Sequence, residues 1–380
     1  MLTSKLPHVG TTIFTVMSQM AQECGALNLS QGFPDFEPPA ELLERVTHYL
    51  HQGKNQYAPM PGVPELRYAI ARKLQRCYQT NVNPEQEITV TSGATEALFS
   101  AIQAVVKPGD EVIVFDPAYD SYEPAVTLAG GDTVHIPMLA PDFAIDWQRV
   151  RDAITPRTRM IILNSPHNPT GAVVSADDLQ QLSDAVRDTD IILLSDEVYE
   201  HILFDQHTHL SMLTHPELRQ RSLVVSSFGK TYHATGWKIG YVIAPAELTA
   251  EFRKVHQFNQ FVVVSPMQYA LADYLDSAPE HYLGLSEFYE QKRDYFCDAI
   301  KGSRFSFRKT AGTYFQILDY SAISDEPDTV FAETLTRTHG LAAIPVSVFY
   351  ETVPEQYLLR FCFAKDETTL DKAAEILCRI

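Results

Sequence analysis

Short apolar segments alternate with helix-like segments through the middle of the chain, and this alternation constrains the fold more than any other feature. The helix-like patterns include residues 94–106 and 176–187. The strand-like runs lie at residues 87–91, 111–115, 160–163, 191–194 and 223–225. Strands that are apolar on both faces are typical of a parallel sheet covered by helices on either side. The sequence therefore predicts an α/β architecture.

The pattern changes near residue 285. A helical pattern over 285–300 is followed by a strand-like run, a second helix, a strand near 358–363 and a final helix, which together predict a smaller α+β domain. The Pro-rich stretch 32–39 predicts an ordered but irregular arm. We therefore expect an N-terminal arm and part of the small domain over 1–45, a large domain over 46–284, and a small C-terminal domain over 285–380.

The composition indicates a folded, acidic protein. Of the 380 residues, 45% are hydrophobic and 21% are charged, as in ordinary globular proteins. The net charge of −18 disfavours binding to nucleic acid or to anionic membranes, and no apolar run is long enough to span a bilayer. The five cysteines form no C-x-x-C pair, which is typical of reduced cytosolic thiols. We expect a soluble cytoplasmic protein with no nucleic-acid or membrane partner.

Polar groups follow each predicted strand at its carboxyl end. These groups lie in the segments 91–95, 116–119, 164–168, 195–199 and 226–230. In open α/β sheets, ligands bind beyond the carboxyl ends of the strands. We therefore expect the five segments to contribute to one binding site.

Lys230 is the strongest candidate for chemistry in these segments. It follows the apolar run 223–225, lies among small residues, and is followed eight positions later by Lys238. Most lysines are solvated surface charges. An amine in a loop at the end of a buried strand instead favours a chemical use.

Other groups at the strand ends have both a structural and a functional interpretation. Asp196 is either a partly buried carboxylate that needs a cationic partner or the cap of the following helix. Residues 92–95 open a helix, where they either leave amides free for a phosphate or form an ordinary N-cap. The Asn, Pro and Gly of residues 168–171 are typical of a turn. Arg360 lies in the apolar run 358–363, where its guanidinium needs a partner. That partner is a carboxylate, either of this chain in a structural salt bridge or of a ligand.

Two other enzyme classes match poorly. Gly229-Lys230-Thr231 resembles the end of a P-loop, but Val224 stands where that loop requires a glycine. A metal-dependent hydrolase is disfavoured because no H-E-x-x-H occurs, and the cluster of Asp205, His207 and His209 is more typical of a solvated loop. We expect no metal site.

A set of motifs occurs in order along almost the whole chain: Gly93-Ala94-Thr95, Tyr119, Asn168-Pro169-Thr170-Gly171, Asp196-Glu197-Val198-Tyr199, Ser227, Lys230, Lys238 and Arg360. As a set they resemble the class I aminotransferases of pyridoxal-phosphate fold type I. Segments 31–36, 55–57 and 227–231 resemble the subgroup that contains bacterial methionine aminotransferase and the kynurenine/glutamine transaminases. The resemblance implies a mostly parallel seven-stranded sheet between helices and a smaller α+β domain.

The resemblance also implies a role for each residue around the cofactor ring. Lys230 would bind pyridoxal 5′-phosphate covalently and, once an incoming amino acid releases it, act as the base that removes the Cα proton. Asp196 would keep the pyridine nitrogen protonated. Tyr199 and Asn168 would hydrogen-bond the ring hydroxylate, and Tyr119 would stack on the ring face.

The cofactor phosphate and the substrate carboxylate have their own implied partners. The phosphate would be held by Gly93, Ala94, Thr95, Ser227 and Lys238, and by Tyr57 of the neighbouring subunit. Many class I relatives have arginine at the position of Lys238, so this chain replaces a bidentate clamp by a point charge. Arg360 would bind the substrate carboxylate with Asn168 and the backbone near Gly32. The shared role of Tyr57 implies a homodimer with shared active sites.

The resemblance implies ping-pong transamination of L-amino acids with 2-oxo acids. A second arginine for a dicarboxylic substrate is not recognisable, and Ile13 and Phe14 are apolar candidates in the arm. We therefore expect a preference for methionine, with aromatic and other neutral side chains next. Two alternatives remain: β-elimination from cysteine S-conjugates, and kynurenine/glutamine transamination. A non-catalytic cofactor-sensing regulator is disfavoured, because it would need a DNA-binding domain for which the acidic chain has no room.

Overall fold

The computed structural model describes residues 3–380, which form fifteen α-helices and twelve strands. The helices are α1 (Ile13–Cys24), α2 (Ala40–His51), α3 (Pro64–Tyr78), α4 (Gly93–Val105), α5 (Tyr122–Ala129), α6 (Trp147–Ala153), α7 (Ala176–Val186), α8 (Pro216–Arg219), α9 (Phe228–Thr231), α10 (Ala246–Asn259), α11 (Ser265–Ser277), α12 (Pro279–Leu283), α13 (Leu285–Ala299), α14 (Asp328–His339) and α15 (Glu367–Arg379). The strands are β1 (Leu27–Asn28), β2 (Ile88–Thr91), β3 (Glu111–Asp116), β4 (Asp132–Pro137), β5 (Thr158–Asn164), β6 (Ile192–Asp196), β7 (Ser222–Ser227), β8 (Gly240–Ile243), β9 (Phe315–Asp319), β10 (Leu341–Ala342), β11 (Ile344–Pro345) and β12 (Leu358–Cys362).

A seven-stranded sheet in the order β2-β8-β7-β6-β5-β3-β4 forms the centre of the large unit. Only β8 runs antiparallel to its neighbours. Strands β2 and β3 are buried at every residue, because helices cover both faces of the sheet. The predicted α/β class and its mostly parallel sheet are confirmed.

The antiparallel strand β8 brings a loop from the opposite direction to the edge where the parallel strands end. Gly240, its first residue, pairs with both Thr91 and Ser227, the last residues of β2 and β7. A Cβ at Gly240 would lie 2.6 Å from the carbonyl oxygen of Ser226. Only glycine therefore allows this close approach, which places the loop that carries Lys238 beside the carboxyl ends of the strands.

The small unit combines the C-terminal part of the chain with its beginning. Strands β11, β12 and β9 form an antiparallel sheet, and β1 pairs in parallel with β10 through Leu27 and Leu341. The boundary expected at residue 45 falls inside the unbroken α2. Because Tyr49 of α2 hydrogen-bonds Asp273 of α11 at 2.5 Å, we propose that the large unit begins at Ala40. The second division, between 284 and 285, stays a prediction.

A buried ion pair connects helix α3 to the segment that follows β6. Lys73 Nζ lies 2.6 Å from Glu200 Oε1, and both side chains are almost fully buried. Glu200 also accepts hydrogen bonds from the hydroxyls of Tyr78, Ser226 and Tyr241. The pair therefore joins α3 to β7 and β8 beneath the strand ends.

We expect Lys73→Met to lower the free energy of unfolding by about 3–5 kcal/mol, because it leaves the Glu200 carboxylate buried without its cation. Arg72→Met is the matched control. Its neighbouring pair with Asp276 is largely exposed, so its loss should cost about 1 kcal/mol or less. Urea unfolding of both variants measures the difference, and equal losses would contradict a structural role for the buried pair.

Candidate active site

The carboxyl edge of the large sheet opens into a single cleft. Ten residues that the sequence predicts as site residues line it: Gly93, Ala94, Thr95, Tyr119, Asn168, Asp196, Tyr199, Ser227, Lys230 and Lys238. The lining is completed by Leu98, Asn164, Val198 and Thr235. These residues come from the ends of β2, β5, β6 and β7 and from the loops that follow β3 and precede β8, so the sheet topology alone accounts for their convergence.

Lys230 lies in α9, the short helical turn that follows β7. Its Nζ donates hydrogen bonds to the carbonyl oxygen of Gly32 at 3.2 Å and to the hydroxyl of Tyr314 at 2.9 Å. Burial, helped by the nearby cations Lys238 and Arg360, lowers the pKa of Lys230 to about 8. About a tenth of this amine is therefore unprotonated at pH 7, against well under a thousandth for an exposed lysine, and the unprotonated form is the one that a nucleophile or a base requires.

Asp196 is the last residue of β6 and is 4% exposed. Within residues 3–380 no lysine, arginine or histidine forms an ion pair with it, so the predicted cationic partner is not a side chain of this chain. Its Oδ2 instead accepts a hydrogen bond from Tyr122 at 2.7 Å. Burial outweighs this bond and raises the pKa of Asp196 to about 6. The carboxylate is thus set at the floor of the cleft without a positive charge to neutralise it.

The N-terminus of α4 faces the cleft without a side-chain cap. Ser92 occupies the N-cap position and makes no capping hydrogen bond, so the interpretation of residues 92–95 as an ordinary N-cap is wrong. Gly93 has a φ of +74°, and a Cβ there would lie 3.3 Å from Lys238 Nζ. Lys238 also lies 3.3 Å from the Thr95 hydroxyl. Free amides, a helix N-terminus and an ammonium group together form a cradle that suits a phosphate.

Arg360 lies in the middle of β12, where it is 1% exposed. Its Nη1 donates to Asn168 Oδ1 and its Nη2 to the carbonyl oxygen of Ser30, both at 2.8 Å, while its Nε has no partner. No carboxylate among the described residues forms an ion pair with it. Its guanidinium lies 3.9 Å from the ring centroid of Phe315 and 5.1 Å from that of Phe14. Burial lowers the pKa of Arg360 to about 10.

The arm residues predicted to contact the substrate differ in position. Gly32 reaches the cleft through its carbonyl oxygen, and Phe14 packs against Arg360. Ile13 lines an adjoining pocket together with Tyr119. Tyr57 is not part of the cleft and is 81% exposed, so nothing within one chain tests the predicted contact with a neighbouring subunit.

Most of the chain matches a known enzyme family. The family model for aminotransferase class I and II matches residues 25–377. The chain belongs to this aminotransferase family. Methionine aminotransferase of Escherichia coli strain K12 is 54% identical over 98% of this chain and 97% of the relative. Kynurenine-oxoglutarate transaminase 3 of Mus musculus is 35% identical over 98% of this chain and 88% of the relative. The solved structure of YbdL from Escherichia coli, described with a methionine aminotransferase function, has a TM-score of 0.98, 53% identity and full coverage of both chains.

The aminotransferase therefore carries out transamination with pyridoxal 5′-phosphate, as the resemblance implied. The cleft fits this cofactor on three independent observations. The unpaired buried carboxylate of Asp196 matches a protonated pyridine nitrogen. The cradle at Gly93 matches a phosphate, and Lys230 supplies a partly deprotonated amine.

Three residues of the aminotransferase site had no predicted role. Tyr122 and Asn164 support Asp196, since Asn164 Nδ2 donates to the Asp196 carbonyl oxygen at 2.8 Å and Asn164 Oδ1 accepts from the Asn168 amide. Asn164 falls in the strand-end segment 164–168, which was a usable signal. Tyr122 is one of eighteen tyrosines and Tyr314 lies far along the chain, so neither stands out in the sequence.

Outside the aminotransferase cleft, Asp205, His207 and His209 do not form a metal site. Asp205 pairs with Arg293 at 2.6 Å. Within residues 3–380 the one group of side chains close enough to share a metal ion is Glu123, His135 and Glu351, none of which lines the cleft. None of the described helices has the length and apolarity that crossing a membrane would require.

We expect Asp196→Asn to stabilise the aminotransferase in the absence of cofactor. Because the pKa of Asp196 rises from 3.8 to about 6 on folding, its ionisation weakens the fold progressively above pH 4 and fully above pH 6. The gain in the free energy of unfolding should be on the order of 2–3 kcal/mol at pH 8 and about half that at pH 5. Urea unfolding at both pH values tests this. Asp188→Asn, at an exposed aspartate, is the control and should show no such gain.

Proposed function

We propose that this enzyme transaminates L-methionine and other amino acids with neutral apolar side chains, with aromatic side chains next, and passes the amino group to a 2-oxo acid by a ping-pong route. The observation that carries the preference is the apolar surrounding of Arg360, whose guanidinium packs against the rings of Phe315 and Phe14. No arginine is among the residues that line the cleft itself, so a distal carboxylate would find no bidentate partner there. The 54% identity to a methionine aminotransferase supports the same assignment.

Lys230 is the catalytic amine in this proposal. Pyridoxal 5′-phosphate supplies an aldehyde that binds amino groups and a ring that withdraws the electron pair left when Cα loses its proton. Lys230 would hold the cofactor through Nζ and, once free of it, would take the Cα proton of the substrate on the same atom. A pKa of about 8 suits both uses, because the amine is neither fully protonated nor too weak a base near neutral pH.

Four residues hold the ring of the cofactor. Asp196 would pair with its protonated nitrogen, which supplies the cation that this carboxylate lacks. Burial raises the pKa of Tyr199 well above its usual range, so its hydroxyl keeps its proton and can donate it to the ring oxygen. Asn168 and Tyr119 both line the cleft, where Asn168 would add a second donor from its amide and Tyr119 would stack on the ring face.

The phosphate and the substrate carboxylate bind at opposite ends of the cleft. The backbone amides of residues 93–95, with Ser227 and Lys238, would hold the phosphate. Arg360 would bind the substrate carboxylate through its unpartnered Nε and its fork, oriented by Asn168. The Gly32 backbone, Ile13 and Phe14 would close the arm over the substrate side chain.

We also propose a homodimer in which Tyr57 reaches the phosphate of the partner's cofactor. Its 81% exposure and that of nearby aromatic side chains support this, since Phe258 is 85% and Phe261 47% exposed. The rings of Tyr57 and Phe261 contact each other at 5.4 Å and form one exposed aromatic group. Such groups usually mark an interface. A cytoplasmic location belongs to the same proposal, supported by five cysteines that form no disulfide.

We expect Lys230→Ala to lose the covalent cofactor and reduce transamination by about a thousandfold or more, because both nucleophile and base are removed. The measurement is absorbance after borohydride reduction, together with turnover of methionine. Lys238→Gln is the matched control and should keep the reducible chromophore while weakening cofactor binding. If Lys230→Ala keeps both its turnover and a borohydride-reducible chromophore, the proposed role of Lys230 is wrong.

A panel of amino donors against several 2-oxo acids tests the substrate class. We expect methionine to give the highest kcat/KM, with aromatic amino acids next and aspartate and glutamate at least about tenfold lower, because a distal carboxylate would be buried without a partner. Strong preference for a dicarboxylic donor would refute the assignment.

The same panel tests the alternative functions. Kynurenine and glutamine as amino donors test the kynurenine/glutamine transaminase alternative. Pyruvate and ammonia released from cysteine S-conjugates without an acceptor would favour β-elimination, and absence of all turnover would favour a regulator.

A further inference from the structure

The amine of Lys230 makes its hydrogen bonds to Tyr314, which has no assigned role, and to the carbonyl oxygen of Gly32. Tyr314 Oη accepts from Nζ at 2.9 Å and donates its own proton to the Gly32 carbonyl oxygen at 2.6 Å. Gly32 O also accepts from Nζ at 3.2 Å. The three groups therefore form a closed triangle that joins the arm, the loop after β7 and the start of β9.

The hydroxyl of Tyr314 is held in place by its surroundings. The side chain is fully buried, and its ring packs against those of Tyr199, Tyr289 and Phe315 at centroid distances of 5.2, 5.6 and 5.0 Å. The backbone carbonyl of Tyr314 accepts a hydrogen bond from Phe363 at 3.0 Å. Because ring and backbone are both fixed, the hydroxyl oxygen has one direction in which to point.

The arm approaches this hydroxyl closely because residue 32 is glycine. A Cβ on Gly32 would lie 2.8 Å from Cζ of Phe315, which is closer than real Cβ contacts. The Gly32 carbonyl can therefore reach both Tyr314 and Lys230 only without a side chain at this position.

The protonation state of Tyr314 decides which form of the amine it favours. Burial raises the pKa of Tyr314 well above its usual range, so the phenol stays neutral. Its single proton goes to Gly32, which leaves only lone pairs for Lys230. Two acceptors and no donor face the amine, and they favour its charged form against the effect of burial.

We propose that Tyr314 is a positioning residue for Lys230. With the Gly32 carbonyl, it holds the amine whenever that amine is not bonded to the cofactor, fixes its direction, and limits the loss of its proton affinity. The proposal rests on the assigned role of Lys230 as the cofactor-binding amine and base. It adds a means by which the arm, through Gly32, is connected to the catalytic amine.

The first test measures the amine of Lys230 in the cofactor-free protein. Trace acetylation from pH 6 to 10 followed by peptide mass spectrometry gives its apparent pKa. Tyr314→Phe keeps the ring and removes one acceptor from the ammonium group, so we expect the apparent pKa to fall by about half to one pH unit. The other titratable groups that face the amine are Lys238, Arg360, Asp196, Cys362 and Tyr199, and all are unchanged in the variant.

Tyr289→Phe is the matched control. Tyr289 is as buried as Tyr314 and packs against it, but its hydroxyl bonds His233 at 3.0 Å. This variant should leave the apparent pKa of Lys230 unchanged. Tyr314→Met also removes the hydroxyl and fills irregular space, so it should give the same fall as Tyr314→Phe and replaces it if that variant does not fold. An unchanged or raised pKa in the folded Tyr314 variant would overturn the proposal.

The second test separates the orientation of the Lys230 amine from its protonation state. At pH 9.5 most of the amine is unprotonated in both proteins, so the rate of covalent uptake of added pyridoxal 5′-phosphate reports its orientation. We expect Tyr314→Phe to take up the cofactor about three- to tenfold more slowly than the wild type and Tyr289→Phe. Equal rates would overturn the positioning role. Failure of the function itself is distinguishable, because it would show as a reducible adduct in Lys230→Ala, whatever Tyr314→Phe does.

Discussion

The structure depends on three charged groups that are buried at the carboxyl edge of the sheet without a full set of partners. Asp196 has no cation, Arg360 has no carboxylate, and Lys230 has only neutral oxygen acceptors. Each costs stability, because a charge transferred from water to the protein interior loses more solvation than a few hydrogen bonds restore. In the proposed function, a protonated ring nitrogen would pair with Asp196, a substrate carboxylate with Arg360 and the cofactor aldehyde with Lys230, so ligand binding would remove that cost.

The rest of the fold holds these charges apart. Asp196 ends a central strand and is fixed by Tyr122 and Asn164, so it cannot move toward a cation. Arg360 comes from the small unit and is held by Asn168 of the large unit and by the Ser30 backbone. The substrate carboxylate would therefore bind where the two units and the arm meet. In the proposed function, specificity for the side chain would fall to Ile13 and Phe14 at the start of α1 and to the irregular segment around Gly32.

The central sheet and most residues of the cleft could be predicted from the sequence, because buried parallel strands occur as short apolar runs and the residues at their carboxyl ends form the site. The run 111–115 became β3 and the run 160–163 the centre of β5. Strand β8 was not predicted, since four residues beginning with glycine carry little pattern. β4 was missed because this edge strand is only partly buried. For Asp196, the residue pattern indicates only that a buried carboxylate needs a cation. That the ring nitrogen of a ligand provides this cation follows from the family resemblance and stays a prediction.

The same physical cause acts on Lys230 and Asp196 with opposite consequences for function. Burial favours the uncharged form of both, lowering one pKa to about 8 and raising the other to about 6. For the amine this is useful, since the neutral form is the nucleophile and the base. For the carboxylate it is adverse, since the anion is the form that holds a protonated ring nitrogen. The nearby cations that assist the first shift are too far from Asp196 to form ion pairs with it. In the proposed function, the positive charge of the protonated ring would favour the ionised form of Asp196, so binding of the ring and ionisation of the carboxylate would support each other.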